Sequence, residues 1–183
     1  IVPAALELMD QITMAAVEEY VHVGYPMDAE AALLVEVDGL REDLDALTEA
    51  VAEICRSEGV RELRVAVDDR ERELLWRGRK EAFGAIGRIT RHFYVQDGVI
   101  PRTQLASVLA EIAAIGRRHK LRIANVFHAG DGNLHPLILF DRREQGALGR
   151  VKECGREILE ACVRVGGSLT GEHGIGIEKI AFM

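Results

Sequence analysis

The chain predicts an α+β fold: one antiparallel sheet covered on one face by helices. Three observations lead there. Strand-like and helix-like stretches alternate from one end to the other, two apolar β-rich runs face each other across an Asp-Gly turn, and no repeat or low-complexity linker divides the chain. The 183 residues are 48% hydrophobic and 29% charged, enough for one sizeable core and one domain.

In chain order, Pro3 suits the first turn of a helix. Leu6, Met9, Ile12, Met14, Val17 and Val21 continue it as an apolar stripe that Gly24-Tyr25-Pro26 breaks. Ala32 to Val37 reads as a strand before Asp38-Gly39, Arg41 to Ser57 as an amphipathic helix closed by Gly59, and Val60 to Val67 as a second strand. Asp68 to Ile89 is a highly charged helical segment. Tyr94 to Ile100 holds a short strand before Pro101, and Thr103 to His119 is a helix capped near Arg102-Thr103. Leu121 to Phe127 and Leu134 to Phe140 are strands rich in branched and aromatic residues. A helix from Arg143 to Val165 ends at Gly166-Gly167.

Chemistry concentrates in two glycine-rich stretches, His128-Ala129-Gly130-Asp131-Gly132-Asn133-Leu134-His135 and Gly171-Glu172-His173-Gly174. With Asp131-Gly132 as a two-residue primed turn, His128 faces His135. Opposed residues project to one side with Cβ atoms about 4.5–5.5 Å apart, and two such imidazoles can share a metal. A third ligand comes from Glu172, with His173 as the other candidate. Two histidines and a carboxylate suit zinc with one position left open; iron and manganese are also compatible. A lone strand histidine is usually structural, but two that meet across a turn, with Glu-His in a second glycine-bracketed stretch, point to a site.

Other residues carry softer signals. Arg79 stands one helical turn after Trp76, and its guanidinium is a two-pronged partner for a carboxylate, although this charged run also reads as a solvated helix face with Trp76, Phe83 and Ile86 turned inward. Asn133 either meets the left-handed demand of the turn or bonds substrate. Asp131 is a turn residue before it is a ligand. The net charge of −7, without a basic stripe and interleaved aromatics, excludes a general nucleic-acid binder. Cys55, Cys154 and Cys162 follow no metal spacing, and an odd number fits reduced thiols in the cytoplasm. No apolar run reaches the ~18–20 residues of a membrane span, so membrane attachment would be peripheral, at the inner face. Both ends look cut, as in a piece of a longer protein.

His-x-Gly-Asp-Gly-Asn-x-His, Gly-Glu-His-Gly-Ile-Gly and Leu-Leu-Trp-Arg-Gly-Arg-Lys-Glu-Ala-Phe together closely resemble the C-terminal domain of FAD-linked oxidases. These are flavoproteins of the vanillyl-alcohol-oxidase type that include glycolate oxidase and the D-lactate and D-2-hydroxyglutarate dehydrogenases. The resemblance runs from Ile1 to Met183. It implies a cap domain of ferredoxin-like units, with most of the FAD held by an N-terminal domain, and other oxidase subunits as further partners. It also implies a divalent metal on His128, His135 and Glu172, His173 as the base for the substrate hydroxyl, Arg79 as the grip on the substrate carboxylate, and Asn133 as a substrate or metal-shell contact. Relatives that act on larger diacids place a threonine four residues after the arginine, where this chain has Phe83. They also have a lysine just before Asp97, where it has Val95 or Gln96. Both differences favour a small 2-hydroxy monoacid such as glycolate or lactate. A metal-dependent hydrolase and a non-catalytic assembly domain remain as alternative readings of the same motifs.

Overall fold

The computed structural model describes residues 1–183. Strands β1 (Ala5–Asp10), β2 (Ala31–Glu36), β3 (His92–Val95), β4 (Gly98–Val99), β5 (Arg122–His128), β6 (Asn133–Leu134) and β7 (Pro136–Phe140) form one seven-stranded antiparallel sheet. Six helices accompany it: α1 (Gln11–Glu18), α2 (Arg41–Ser57), α3 (Asp69–Lys80), α4 (Ala82–Ile89), α5 (Leu105–His119) and α6 (Ala147–Arg164). This is the expected α+β class, but helices lie on both faces of the sheet rather than on one. Strand alternation explains why. On β5, Ile123 and Phe127 face one core with Ile112 of α5 and Ile158 of α6. Ala124 and Val126 face the other, with Met14 and Val17 of α1 and Ile86 of α4. Each large side chain buried this way stabilises the fold by about 1.5–3 kcal/mol.

The first element differs most from expectation. Ala5–Asp10 is a strand, not the start of a helix, and α1 begins only at Gln11. Leu6, Met9 and Ile12 fit a helical spacing, but β1 lies between β2 and β5 and pairs with both, and that ladder outweighs local pattern. Asp10 makes the switch, its Oδ1 accepting from Thr13 N at 2.9 Å as the cap of α1. Val60 to Val67 forms no strand. Its branched residues find no ladder partner, and Val67 is left 86% exposed. The charged helix expected over 68–89 divides at Glu81 into α3 and α4. The short strand near Tyr94 divides too, into β3 and β4, and α6 starts at Ala147 because Gly146 takes a left-handed φ of 73°. Helix α2 spans Arg41–Ser57 as its pattern predicts.

The hairpin register also shifts. His128 pairs with Asn133, not with His135, so the loop runs from Ala129 to Gly132. The same register continues beyond it, where Asn125 opposes Pro136. Gly132 rather than the expected pair of residues takes positive φ, at 75°, and a Cβ there would stand 2.1 Å from Ile100 O. Because the slip is two residues, His128 and His135 stay on the same face, now as diagonal neighbours. Glu7 lies opposite His128 on β1 and joins that face. Asp97, in the gap between β3 and β4, falls opposite His135 in the gap between β6 and β7.

Candidate metal and proton-transfer site

One end of the sheet therefore presents Glu7, His128, Asn133, His135 and Asp97 on a single face. The chain returns to this end after α6. Gly166 turns it with a φ of 85°, and Ser168 pairs with Val99 through backbone bonds of 2.9 and 3.0 Å. Gly167 must be glycine here, since a Cβ would lie 1.9 Å from Val99 O.

Asp97 then anchors the 170–173 loop. Its carboxylate is 1% exposed and accepts from the Thr170 hydroxyl and from the backbone N–H groups of Gly171 (3.1 Å), Glu172 (3.3 Å) and His173 (2.9 Å). Burial pushes its pKa up, but these four donors outweigh burial and hold it at about 2. Lys179 adds a cation 3.7 Å away and ties its Nζ to Asp97 O and Leu169 O. Burial lowers the pKa of that lysine, against the pull of Asp97. Asp97 was silent in sequence because it falls inside the run from Tyr94 to Ile100 that reads as one short strand. Although it stands within ligand distance of His135 and His173, its lone pairs are committed to the loop, so it acts as a template for that loop rather than as a ligand.

The loop brings Glu172 over the histidines. Glu172 Oε1 lies 2.7 Å from His135 Nε2, 3.7 Å from His128 Nε2 and 3.6 Å from His173 Nε2. Three imidazole nitrogens converge on one half-exposed carboxylate. The rings of His128 and His135 meet edge to face with centroids 5.3 Å apart, and His173 stacks on His135 at 5.0 Å with planes 5° apart. His135 is 2% exposed, and burial lowers its pKa, with the neighbouring histidines adding to the effect and Glu172 opposing it. Its ring is thereby held neutral, the form that ligates a metal.

His128, His135 and Glu172 offer ligand atoms that all lie within 4.8 Å of one another. Around a tetrahedral zinc with bonds of about 2.0–2.1 Å, ligand atoms sit roughly 3.3 Å apart, so this set fits a divalent metal with small adjustments. His128 has the outer partner that metal-binding histidines use: its Nδ1 donates to Glu7 Oε1 at 2.8 Å, which leaves Nε2 free to ligate.

Of the remaining expected residues, Asn133 is buried against Gly171, where a Cβ would come within 2.5 Å of its amide. It lies in β6 with negative φ, so the left-handed explanation for it fails. Its Oδ1 is buried without a partner. Asp131 is the turn residue expected, accepting from Asn133 N at 3.3 Å. Arg79 is buried rather than on a solvated face. Its Nε donates to Glu7 Oε2 at 2.8 Å and its Nη2 lies 2.7 Å from the same oxygen in an ion pair, so it reaches the site through Glu7. Ile86 is buried as expected, while Trp76 and Phe83 are half-buried. Glu7 went unnoticed in sequence. The signal was a carboxylate alternating with Leu6 and Leu8 in a run that the helical reading hid.

The family described as FAD linked oxidases, C-terminal domain, matches residues 1–183. The chain belongs to that family. As an FAD-linked oxidase C-terminal domain it is 52% identical over 180 residues to glycolate oxidase subunit GlcD of Escherichia coli (strain K12), covering 98% of this chain and 36% of that protein. It is 34% identical over 183 residues to the GlcD subunit of Bacillus subtilis (strain 168), covering 100% of this chain and 39% of that one. The chain thus spans little more than a third of the length of these relatives. In fold it is similar to a 4-ethylphenol oxidase from Gulosibacter chungangensis in its isoeugenol complex, with a TM-score of 0.58 at 16% identity over 89% of this chain and 38% of that one. No helix is long and apolar enough to cross a membrane.

Proposed function

We propose that this domain is the substrate- and metal-binding part of an FAD-dependent 2-hydroxy acid dehydrogenase that oxidises glycolate or D-lactate to the 2-oxo acid. The observation that carries it is the convergence of His128, His135 and Glu172 with His173 stacked beside them, in a chain whose family is defined by FAD-linked oxidation. Similarity to two glycolate oxidase subunits supports the substrate class.

Oxidation of a 2-hydroxy acid removes a hydroxyl proton and a hydride from one carbon. His128 Nε2, His135 Nε2 and Glu172 Oε1 would hold the divalent metal, zinc, manganese or iron, whose Lewis acidity lowers the pKa of a hydroxyl placed against it. His173 is the proton acceptor. It is half-exposed, beside the ligands, and its ring orientation is set by stacking on His135 and by its backbone bond to Asp97. Arg79 uses its Nε-side edge on Glu7, and the opposite edge of the guanidinium keeps paired donors for the substrate carboxylate. The partnerless Oδ1 of Asn133 serves substrate or the metal shell. Nothing in this set accepts a hydride; FAD supplies that chemistry, bound mostly by an N-terminal domain of the same protein. The open side of the site fits such a neighbour, since His128, Glu172 and His173 are all partly exposed there.

Phe83 packs near Phe93 with ring centroids 6.4 Å apart, and Val95 borders the same core. Neither offers a polar partner to a second carboxylate, and Gln96 turns to the opposite face against Gly155 of α6, which favours a small monoacid. Other oxidase subunits are further partners, and the three free thiols fit a reducing cytoplasm. A screen of 2-hydroxy acids for flavin bleaching in the intact protein, paired with elemental analysis, tests this reading. Glycolate or D-lactate should bleach the flavin of a metal-containing protein. A flavin that stays oxidised with every hydroxy acid would refute it.

A further inference from the structure

We propose that Glu7 is a positioning residue shared by the two halves of the site: one carboxylate sets both the metal ligand His128 and the substrate-gripping Arg79. This rests on the 2-hydroxy acid reading of the same site and deepens it.

The geometry divides the work between the two oxygens. Oε1 accepts from His128 Nδ1 at 2.8 Å, which fixes the tautomer with its lone pair at Nε2 and aims that atom toward Glu172. Oε2 accepts from Arg79 Nε at 2.8 Å and stands 2.7 Å from Nη2 in the same ion pair. A guanidinium held along that edge can turn only its other edge to a ligand, so Glu7 also decides which way the arginine points. The contact is built from both directions. The β1–β5 register places Glu7 directly opposite His128. Helix α3 is seated by Gly78, where a Cβ would lie 2.6 Å from the Tyr25 hydroxyl oxygen and 2.8 Å from Val23, and this delivers Arg79 next to it. Glu7 stands in β1 between Leu6 and Leu8, where an apolar residue would serve the core without two polar partners. Its side-chain length matters, because a chain one methylene shorter cannot bridge both partners at these distances.

The test uses the intact flavoprotein, with Zn²⁺ affinity measured against a competing chelator and KM and kcat measured with glycolate. Glu7→Gln should weaken Zn²⁺ binding by about 10–100-fold and raise KM for glycolate by a similar order. Glu7→Asp keeps the charge and should recover at most one of the two properties. An unpaired buried Arg79 could unfold Glu7→Gln, so Glu7→Gln/Arg79→Met removes that charge as well and should still show weakened Zn²⁺ binding. Zn²⁺ affinity within twofold of the parent in the folded variants, while His128→Ala still loses the metal, would overturn the proposal and make Glu7 a structural residue only. If His128→Ala holds Zn²⁺ as tightly as the parent, the metal reading itself falls, and this proposal with it.

Discussion

Replacing Asp97 with asparagine should loosen the site without touching a ligand. The carboxylate receives the Thr170 hydroxyl and three successive backbone N–H groups, and it faces Lys179 at 3.7 Å. An amide keeps one acceptor oxygen and turns an NH₂ toward donors, while Lys179 loses its counter-charge. Bonds to a charged acceptor contribute about 1.5–3 kcal/mol each, and breaking a buried charged pair costs about 3–5 kcal/mol. Asp97→Asn should therefore lose about 3–5 kcal/mol of stability at neutral pH, read by urea denaturation. The pH dependence gives an independent check. The folded carboxyl titrates at about 2 against an ordinary 3.8, worth at most about 2 kcal/mol at 1.36 kcal/mol per unit. A depressed carboxyl stabilises the fold fully above its unfolded pKa, so that contribution should vanish as pH falls from about 4 to about 2, and it should be missing from Asp97→Asn. The variant should also bind Zn²⁺ more weakly, because the backbone of Glu172 is no longer held. Stability within 0.5 kcal/mol of the parent, on the order of an ordinary surface change, together with unchanged metal affinity, would refute the template role.

His173→Asn should lower kcat by about 10²–10⁴-fold while Zn²⁺ titration stays near the parent value; a small change in kcat would show that another group takes the proton. His135→Ala should abolish metal retention, measured by elemental analysis after purification without chelators, and retained metal would remove that residue from the ligand set. Gly132→Ala combines a positive φ with a clash against Ile100 O; it should lower stability by at least about 1–3 kcal/mol, and an unchanged melting temperature would contradict the loop geometry. Leu137→Ala, in the core shared with α1 and α4, should cost about 2–5 kcal/mol by denaturation, and a loss below about 1 kcal/mol would show a collapsible core.

Much of this was legible where local chemistry and tertiary need agree. Helix α2 has its acidic first turn, its basic last turn and Gly59 beyond it, and it forms over the expected residues. The convergence of His128, His135 and Glu172 was legible because histidine and glutamate among glycines have few structural uses. The N-terminal strand was not, since Leu6, Met9 and Ile12 satisfy a helical period, and only pairing with β2 and β5 overrides it. Val60 to Val67 shows the reverse, a β-rich run that pairs with no strand of the sheet. Glu7 and Asp97 were hidden for a related reason. Each matters through partners distant in the chain, Glu7 through His128 and Arg79, Asp97 through the 170–173 loop.

The two-residue slip between the expected and observed hairpin also governs how this region can change length. Insertion or deletion of residue pairs between His128 and His135 preserves which side of the sheet each imidazole occupies. A single-residue insertion, unless absorbed as a bulge, sends one imidazole through to the opposite layer, among Phe127 and Ile158. Length variation in this turn should therefore come in even steps wherever the ligand set is kept, with odd steps confined to chains that have lost it.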